Sequence, residues 1–137
     1  MAEKTTFLVE ILTPDGKNIS EEVNFLSAQS PDCLYGITPN HSPLIAPLVI
    51  SPLRIRKGEQ EEVYAIGGGI LEVRKDKVVI LVDSIERSDE IDVERAIQAK
   101  KRAEDRLSAA ASENIDQKRA KLALARALNR LKVISEK

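Results

Sequence analysis

Glycine and proline, the residues that interrupt helices, are confined to one part of this chain of 137 residues. All six glycines and all six prolines lie at or before Gly69, and residues 92–137 contain neither. Because both residues destabilise a helix interior, the first part favours short extended segments, whereas the second part can form long helices. The distribution predicts an α+β chain with two domains, residues 1–88 and residues 89–137.

The first domain has the pattern of an antiparallel β-sandwich. Short apolar and β-branched runs alternate with turn signals such as Pro14-Asp15-Gly16, and apolar residues alternate with arginines over residues 53–56. About ten short strands are expected for the whole sandwich. The runs that predict them most clearly are residues 6–12, 19–28, 44–50, 53–57, 62–66, 70–74 and 77–83.

The second domain predicts an antiparallel helical hairpin. Residues 92–111 and 116–134 are rich in strong helix formers, and residues 112–114 favour a turn. Carboxylates at residues 89–92 and at Asp116 suit the positive ends of the two helix dipoles. One face carries mostly small residues, namely Ala96, Ala99, Ala103, Leu107, Ala110, Ala120, Leu124, Ala127, Leu128 and Leu131. Because alanine buries little apolar area, we expect the hairpin to be detachable.

Composition excludes several classes of protein. The single cysteine, Cys33, precludes an internal disulfide, and the N-terminal residues lack a secretion signal, which favours a reducing compartment. The longest apolar runs have strand length, well short of the roughly 20 residues of a membrane span. Nucleic acid is not an expected partner, because the net charge is -1 and only 3% of the residues are aromatic.

Catalytic and metal-binding groups are also missing from the sequence pattern. His41 is the only histidine and has no companion at a metal-ligand spacing, so no metal site is expected. No nucleophile, base or Walker-type loop fills the roles that an enzyme requires. The run Gly67-Gly68-Gly69 lacks the spacing of a phosphate-binding loop, so we interpret it as a bulge or a close backbone approach.

The near-neutral total charge conceals two opposed parts. Up to Ile91 there are 9 basic and 15 acidic residues, and the rest of the chain has 12 basic and 7 acidic residues, for net charges of -6 and +5. Six arginines form two stripes with the same spacing, which would place Arg95 opposite Arg130 and Arg106 opposite Arg119 in a hairpin: Arg95, Arg102, Arg106, Arg119, Arg126 and Arg130. Three interpretations stay open: a solvated helix face, a phosphate site and a docking surface for an acidic protein.

Three features together resemble the epsilon subunit of bacterial F-type ATP synthase over almost the entire length. They are the loop YGITPNHSPL of residues 35–44, the segment IGGGILEV of residues 66–73 and the Ala/Arg-rich hairpin. Asn40 replaces a glycine of the family pattern, and since asparagine tolerates the left-handed conformation, we expect the turn to be kept. Residues 31–34 depart from the Gly/Glu-rich sequence common there.

The resemblance implies a non-catalytic central-stalk subunit of the proton-translocating synthase, peripheral on the cytoplasmic face of the energy-transducing membrane. In this family the sandwich binds the gamma subunit and the c-subunit ring, so His41, Pro43 and Leu44 are expected partner contacts. The hairpin either folds on the sandwich or extends toward the alpha and beta catalytic subunits and inhibits ATP hydrolysis. Its net charge of +5 would then face an acidic segment of those subunits.

The resemblance also implies ATP as a regulatory ligand of the folded hairpin. The family motif Ile-Asp-x-x-Arg-Ala is matched by residues 91–96. By similarity, the base is lined by Ile91, Asp92 and Ala96, the phosphates by Arg95, Arg126 and Arg130, and Glu86 and Arg102 are supporting charges. Bound ATP would favour the folded state and relieve inhibition, while a role for Mg²⁺ is left open. The alternative is a free-standing nucleotide-sensing module.

Overall fold

A computed structural model of the chain describes residues 5–109 and 114–136. Eight β-strands, a single 3-10 turn and two α-helices follow one another in these residues. The strands are β1 (Phe7–Leu12), β2 (Asn18–Val23), β3 (Phe25–Gln29), β4 (Leu34–Ile37), β5 (Leu44–Lys57), β6 (Gln60–Val73), β7 (Lys77–Val82) and β8 (Ile85–Arg87). The 3-10 turn is Ser88–Glu90, and the helices are α1 (Val93–Ala109) and α2 (Asn114–Ser135).

The strands form a sandwich whose two layers are joined by the long hairpin of β5 and β6. One layer runs β2, β1, β7, the second half of β6 and the first half of β5. The other runs β8, the first half of β6, the second half of β5, β3 and β4. The predicted sandwich followed by a helical hairpin is confirmed. The sheet is nevertheless mixed, because β1 and β7, which are far apart in the chain, pair in parallel.

Apolar side chains from alternate strand positions fill the space between the layers. Leu53 and Ile55 are 0% and 1% exposed, whereas Arg54 and Arg56 reach solvent, as their alternation predicted. Arg56 covers the ring of Phe25, with 5.2 Å between the guanidinium carbon and the ring centroid. The core also contains Val9, Ile11, Val23, Leu26, Ile37, Leu71 and Ile80, each at most 1% exposed.

The described residues contain eight strands where about ten were expected, because β5 and β6 each run through both layers as one continuous strand. Strand β5 continues through Ser51 and Pro52, where the sequence predicted a break, and Pro47 lies within its first half. Away from β6, β5 pairs with β3 only over residues 54–56, so both prolines lie where a missing N–H is tolerated. Conversely, the predicted strand of residues 19–28 is divided at Asn24, and β4 and β8 were not predicted.

The three consecutive glycines lie within β6, at the point where the β5–β6 hairpin passes between the layers, so the two strands predicted there are one. Gly68 has a φ of 92°, which side chains disfavour, and a Cβ on Gly69 would collide with the backbone of Leu81 and Val82. The N–H of Gly67 donates to the carbonyl of Ser84 at 3.0 Å. The predicted close backbone approach is therefore confirmed.

Helices α1 and α2 pack against each other, and α2 also lies on β5 and β6. Four alanines of the predicted apolar face, Ala96, Ala103, Ala120 and Ala127, are at most 2% exposed. Leu128, however, is 45% exposed, because the adjacent Asn129 takes the buried position. Ala110, residues 112 and 113 of the predicted turn and the side chain of Asp116 lie outside the described residues, whereas residue 114 begins α2. Neither described helix is long and apolar enough to cross a bilayer.

A small apolar cluster holds the hairpin on the sandwich. It consists of the buried residues Val63, Ala65, Ile91, Ala96 and Val133. An ion pair between Arg54 of β5 and Glu136, just beyond α2, adds a contact whose side chains are 29% and 31% exposed. Leu131 and Ile134, which are partly buried, pack against this cluster, and the ion pair is partly solvated.

Candidate functional site

A cavity of about 270 Å³ lies where the start of α1 and the end of α2 meet strand β8. Seven of the eight residues predicted for ATP line it: Glu86, Ile91, Asp92, Arg95, Ala96, Arg102 and Arg130. The eighth, Arg126, lines an adjoining cavity of about 10 Å³ that shares Glu86 and Arg130 with the first. The larger volume is close to the lower limit of about 300 Å³ for small-molecule pockets.

The start of α1 forms one wall of this cavity. Asp92 caps the helix, because its Oδ1 accepts a hydrogen bond from the N–H of Arg95 at 3.2 Å. The carbonyl of Asp92 accepts from the N–H of Ala96 at 3.0 Å. This confirms the predicted carboxylate at the helix start. The positive end of the α1 dipole therefore adjoins the cavity and favours an anion there.

The arginines at the cavity differ in their pairing. Arg130 Nε donates to Glu86 Oε1 at 2.6 Å, with the two side chains 32% and 34% exposed. Arg95, Arg102 and Arg126 form no salt bridge with a carboxylate of the residues that the structure describes. Unpaired guanidinium groups suit phosphate oxygens, which they bind through two parallel hydrogen bonds.

One wall of the cavity is apolar and is formed by Ile91 and Ala96. They are 8% and 2% exposed and present apolar surface beside the arginines. Arg95 and Arg130 line the same cavity, so their predicted opposition across the hairpin is confirmed. The opposition of Arg106 and Arg119, both exposed, stays a prediction. Among the described residues, no three His, Cys, Asp or Glu side chains are grouped closely enough to hold a metal ion.

The loop that contains His41 has the predicted turn. Asn40 has a φ of 65°, the left-handed conformation that the family glycine would adopt, and no other described non-glycine residue has a positive φ. His41 Nδ1 lies 2.7 Å from the carbonyl oxygen of Ser42, to which it donates. Pro43 is exposed, and His41 and Leu44 are half-buried. Their predicted role as partner contacts is not decided by this geometry.

Sequence reasoning missed two polar groups, the amide of Asn129 and the hydroxyl of Tyr64. Asn129 of α2 donates to the carbonyl oxygen of Ser51 in the sandwich, and no local sequence signal marked it. Tyr64 donates to Glu62 Oε2 at 2.6 Å, and Lys57 Nζ lies 3.0 Å from Glu62 Oε1. Burial and the bond to Glu62 raise the pKa of Tyr64. Burial opposes ionisation of Glu62, but the hydrogen bonds from Tyr64 and Lys57 outweigh it and lower its pKa.

Family comparison agrees with this division into sandwich and hairpin. The family profile described as "ATP synthase, Delta/Epsilon chain, beta-sandwich domain" matches residues 6–88, and that described as "ATP synthase, Delta/Epsilon chain, long alpha-helix domain" matches residues 89–135. The chain belongs to the ATP synthase delta/epsilon family. Within this family, its sequence is similar to those of epsilon chains.

The ATP synthase epsilon chain of Halalkalibacterium halodurans is 48% identical to it over 128 residues, which are 93% of this chain and 96% of that relative. The epsilon chain of Bacillus cytotoxicus is 46% identical over 132 residues, which are 96% of this chain and 98% of that relative. The predicted resemblance to epsilon subunits is confirmed. The chain is a non-catalytic subunit of an ATP synthase, as its sequence predicted.

Solved structures share the fold of this epsilon-family chain. A chain of the Euglena gracilis mitochondrial ATP synthase, in an assembly of OSCP, F1 and c-ring, has a TM-score of 0.84 and 17% identity, covering 98% of this chain and 84% of that chain. A chain of the Tetrahymena thermophila mitochondrial ATP synthase central stalk and c-ring has a TM-score of 0.58 and 17% identity, covering 97% of this chain and 99% of that chain. At this identity the likeness concerns the fold alone.

Proposed function

We propose that this epsilon chain is part of the central stalk of a proton-translocating F-type ATP synthase, peripheral on the cytoplasmic face of the membrane. The sandwich binds the gamma subunit and the c-subunit ring, and the hairpin regulates ATP hydrolysis by the alpha and beta subunits. The epsilon-chain relatives and the central-stalk and c-ring assemblies of the neighbours in fold support this assignment.

An apolar patch on the outer face of the first layer supports binding to gamma. Ile45, Ile70 and Leu81 are 74%, 48% and 47% exposed. Pro47, Ile70 and Leu81 are direct neighbours across β5, β6 and β7. Contiguous exposed apolar side chains are typical of protein interfaces. On β5 the patch begins at Ile45, the residue after Leu44, which itself packs against the core and adjoins the loop of His41 and Pro43 that we assign to the c-subunit ring.

The hairpin switches between a docked and an extended state in this proposal. The modest apolar cluster beneath α2 supports it, because weak docking allows a few kcal/mol to shift the balance between two states. In the extended state, the second domain meets an acidic segment of the catalytic subunits. The net charge of +5 over residues 92–137 favours that contact and so favours inhibition.

ATP stabilises the docked hairpin in this proposal. The observation that carries it is that the cavity is lined by β8, α1 and α2 together, so that it exists only while the hairpin is docked. A ligand that binds only one of two states increases the population of that state. The phosphates meet Arg95, Arg126 and Arg130, with Glu86 and Arg102 as supporting charges, and the base lies against the apolar wall of the cavity.

Two measurements test the two parts of the proposal. A tagged chain should co-purify with gamma, alpha and beta subunits, and a chain that stays monomeric beside them would refute the stalk assignment. Isothermal titration of ATP into the isolated chain, with and without Mg²⁺, should give saturable binding. No binding under either condition would refute the nucleotide site, whereas ATP binding without co-purification would indicate a free-standing nucleotide sensor.

A further inference from the structure

Asn129 is the buried polar contact between the hairpin and the sandwich. Its side chain donates from Nδ2 to the carbonyl oxygen of Ser51 at 2.9 Å and to that of Ile66 at 3.3 Å. Ser51 and Ile66 are direct partners across β5 and β6, so one amide group joins α2 to both strands at one position. The residue is 7% exposed, and Ser51 is 4% exposed.

The carbonyl oxygen of the same side-chain amide, in contrast, accepts no hydrogen bond from the described residues. Asn129 Oδ1 is buried and has no hydrogen-bond partner among the described residues. A buried acceptor without a partner opposes docking, which makes asparagine a poor choice for stability alone. A buried asparagine at a helix interface can instead fix the register of the helix at the expense of stability. The apolar cluster between α2 and the sandwich specifies the register less sharply, because its contacts are not directional.

The position of Asn129 in α2 connects this contact to the candidate nucleotide site. Arg130 is the next residue, and Arg126 lies three residues earlier, about one helical turn away. Asn129, Arg126 and Arg130 line the same small cavity together with Glu86 of β8. A rotation or a shift of α2 at Asn129 therefore moves both guanidinium groups relative to Glu86.

We propose that Asn129 is a positioning residue, which fixes the register of α2 on β5 and β6 and thereby places Arg126 and Arg130 for phosphate binding. The role presupposes the proposed nucleotide function, since the arginines that Asn129 places belong to the ATP site. If Asn129 has this role, the two arginines are correctly placed only when α2 is docked in one register.

Two variants of the full chain separate register from stability. Asn129→Asp keeps the shape but places an acceptor against two carbonyl oxygens. Asn129→Leu removes the donors together with the unpaired acceptor and keeps apolar contact with the cluster. Leu128→Ala, at the exposed neighbouring position, is the matched control. Hydrogen exchange of α2 without nucleotide reports docking, and titration with ATP reports the arginine site.

We expect α2 of Asn129→Asp to exchange about tenfold faster than that of the wild type, while the strands keep their protection. Asn129→Leu should keep α2 protected but bind ATP about tenfold more weakly, a combination that loss of stability alone does not produce.

Two results would overturn the positioning role. One is wild-type exchange of α2 in Asn129→Asp, and the other is wild-type ATP affinity in an Asn129→Leu chain whose α2 stays protected. Failure of the proposed function has a different signature. If the wild-type chain itself binds no ATP, the nucleotide site is wrong, and the exchange measurement alone decides whether Asn129 holds α2 in place.

Discussion

Among the arginines at the hairpin cavity, Arg130 is the one paired with a carboxylate in the described residues. Replacing Arg130 by alanine removes a proposed phosphate ligand and also leaves Glu86 without the cation 2.6 Å away. We expect Arg130→Ala to weaken ATP binding about ten- to a hundredfold in isothermal titration, because charge-assisted hydrogen bonds are lost and an uncompensated carboxylate remains. The chain should stay folded, since the pair is partly exposed.

Arg106→Ala is the matched control for this substitution, because Arg106 belongs to the same stripe on α1 but does not line the cavity. It should bind ATP like the wild type. Arg126→Ala should give a smaller loss than Arg130→Ala, since Arg126 lines the adjoining cavity. Unchanged ATP affinity in Arg130→Ala would rule out the assignment of phosphate to this site.

Tyr64 gives the sandwich a dependence on alkaline pH. The pKa of its hydroxyl is raised above the ordinary value of 10.0, so the unfolded chain loses this proton first as the pH increases. The free energy of unfolding should therefore fall above pH 10.0. Lys57, whose pKa is raised by its bonds to Glu62, acts in the same direction.

Tyr64→Phe should cost about 1 kcal/mol of stability at neutral pH, because the hydrogen bond to Glu62 is lost. Its stability should then decline less steeply than that of the wild type above pH 10.0. Urea unfolding at a series of pH values measures both effects. Equal slopes for the two chains would show that Tyr64 does not carry the alkaline dependence.

Local rules were sufficient for some side chains and not for others. The left-handed turn at Asn40 followed from the family glycine that asparagine replaces, and the carboxylate of Asp92 at the positive end of α1 followed from its place at the start of the predicted helix. The helical period located the apolar stripe but not its edge, so Leu128 was assigned to the buried face that Asn129 occupies. The bonds of Asn129 join residues 78 and 63 positions apart, which no local pattern contains.

Among the strands and helices, too, local signals predicted some features, and contacts between distant segments determined others. The hairpin was predictable because helix propensity and capping are local properties. The long strands β5 and β6 were divided in the prediction, since proline and glycine signal turns, although here their neighbours across the sheet accommodate them. The parallel pairing of β1 with β7 depends on contacts between distant segments, so the sequence pattern could not predict it.

The sandwich and the hairpin should be separable. A chain that ends at Ile91 keeps every strand and loses the cover of Ala96 and Val133 over Val63 and Ala65. We expect it to fold with a loss of about 1–2 kcal/mol, to bind gamma and to lose the inhibition of ATP hydrolysis. Thermal unfolding and a gamma-binding assay test this. An unfolded truncated chain would contradict the division into two independent parts.

The whole molecule combines an acidic sandwich with a basic hairpin. Net charges of -6 up to Ile91 and +5 beyond it favour docking at long range, but few close ion pairs join the two parts in the described residues. The docked state is therefore held by a small apolar cluster, Asn129 and two partly exposed ion pairs. Such a balance can respond to a ligand that binds only one of the states.

The distance between α2 and the sandwich tests this claim most directly. Cys33 would be replaced by serine, and single cysteines at the exposed Glu59 and Lys121 would carry spin labels in a complex with gamma, alpha and beta subunits. Saturating ATP should collect the distances into one narrow population, that of the docked hairpin. A distribution that ATP leaves unchanged, while titration shows that ATP is bound, would contradict the account.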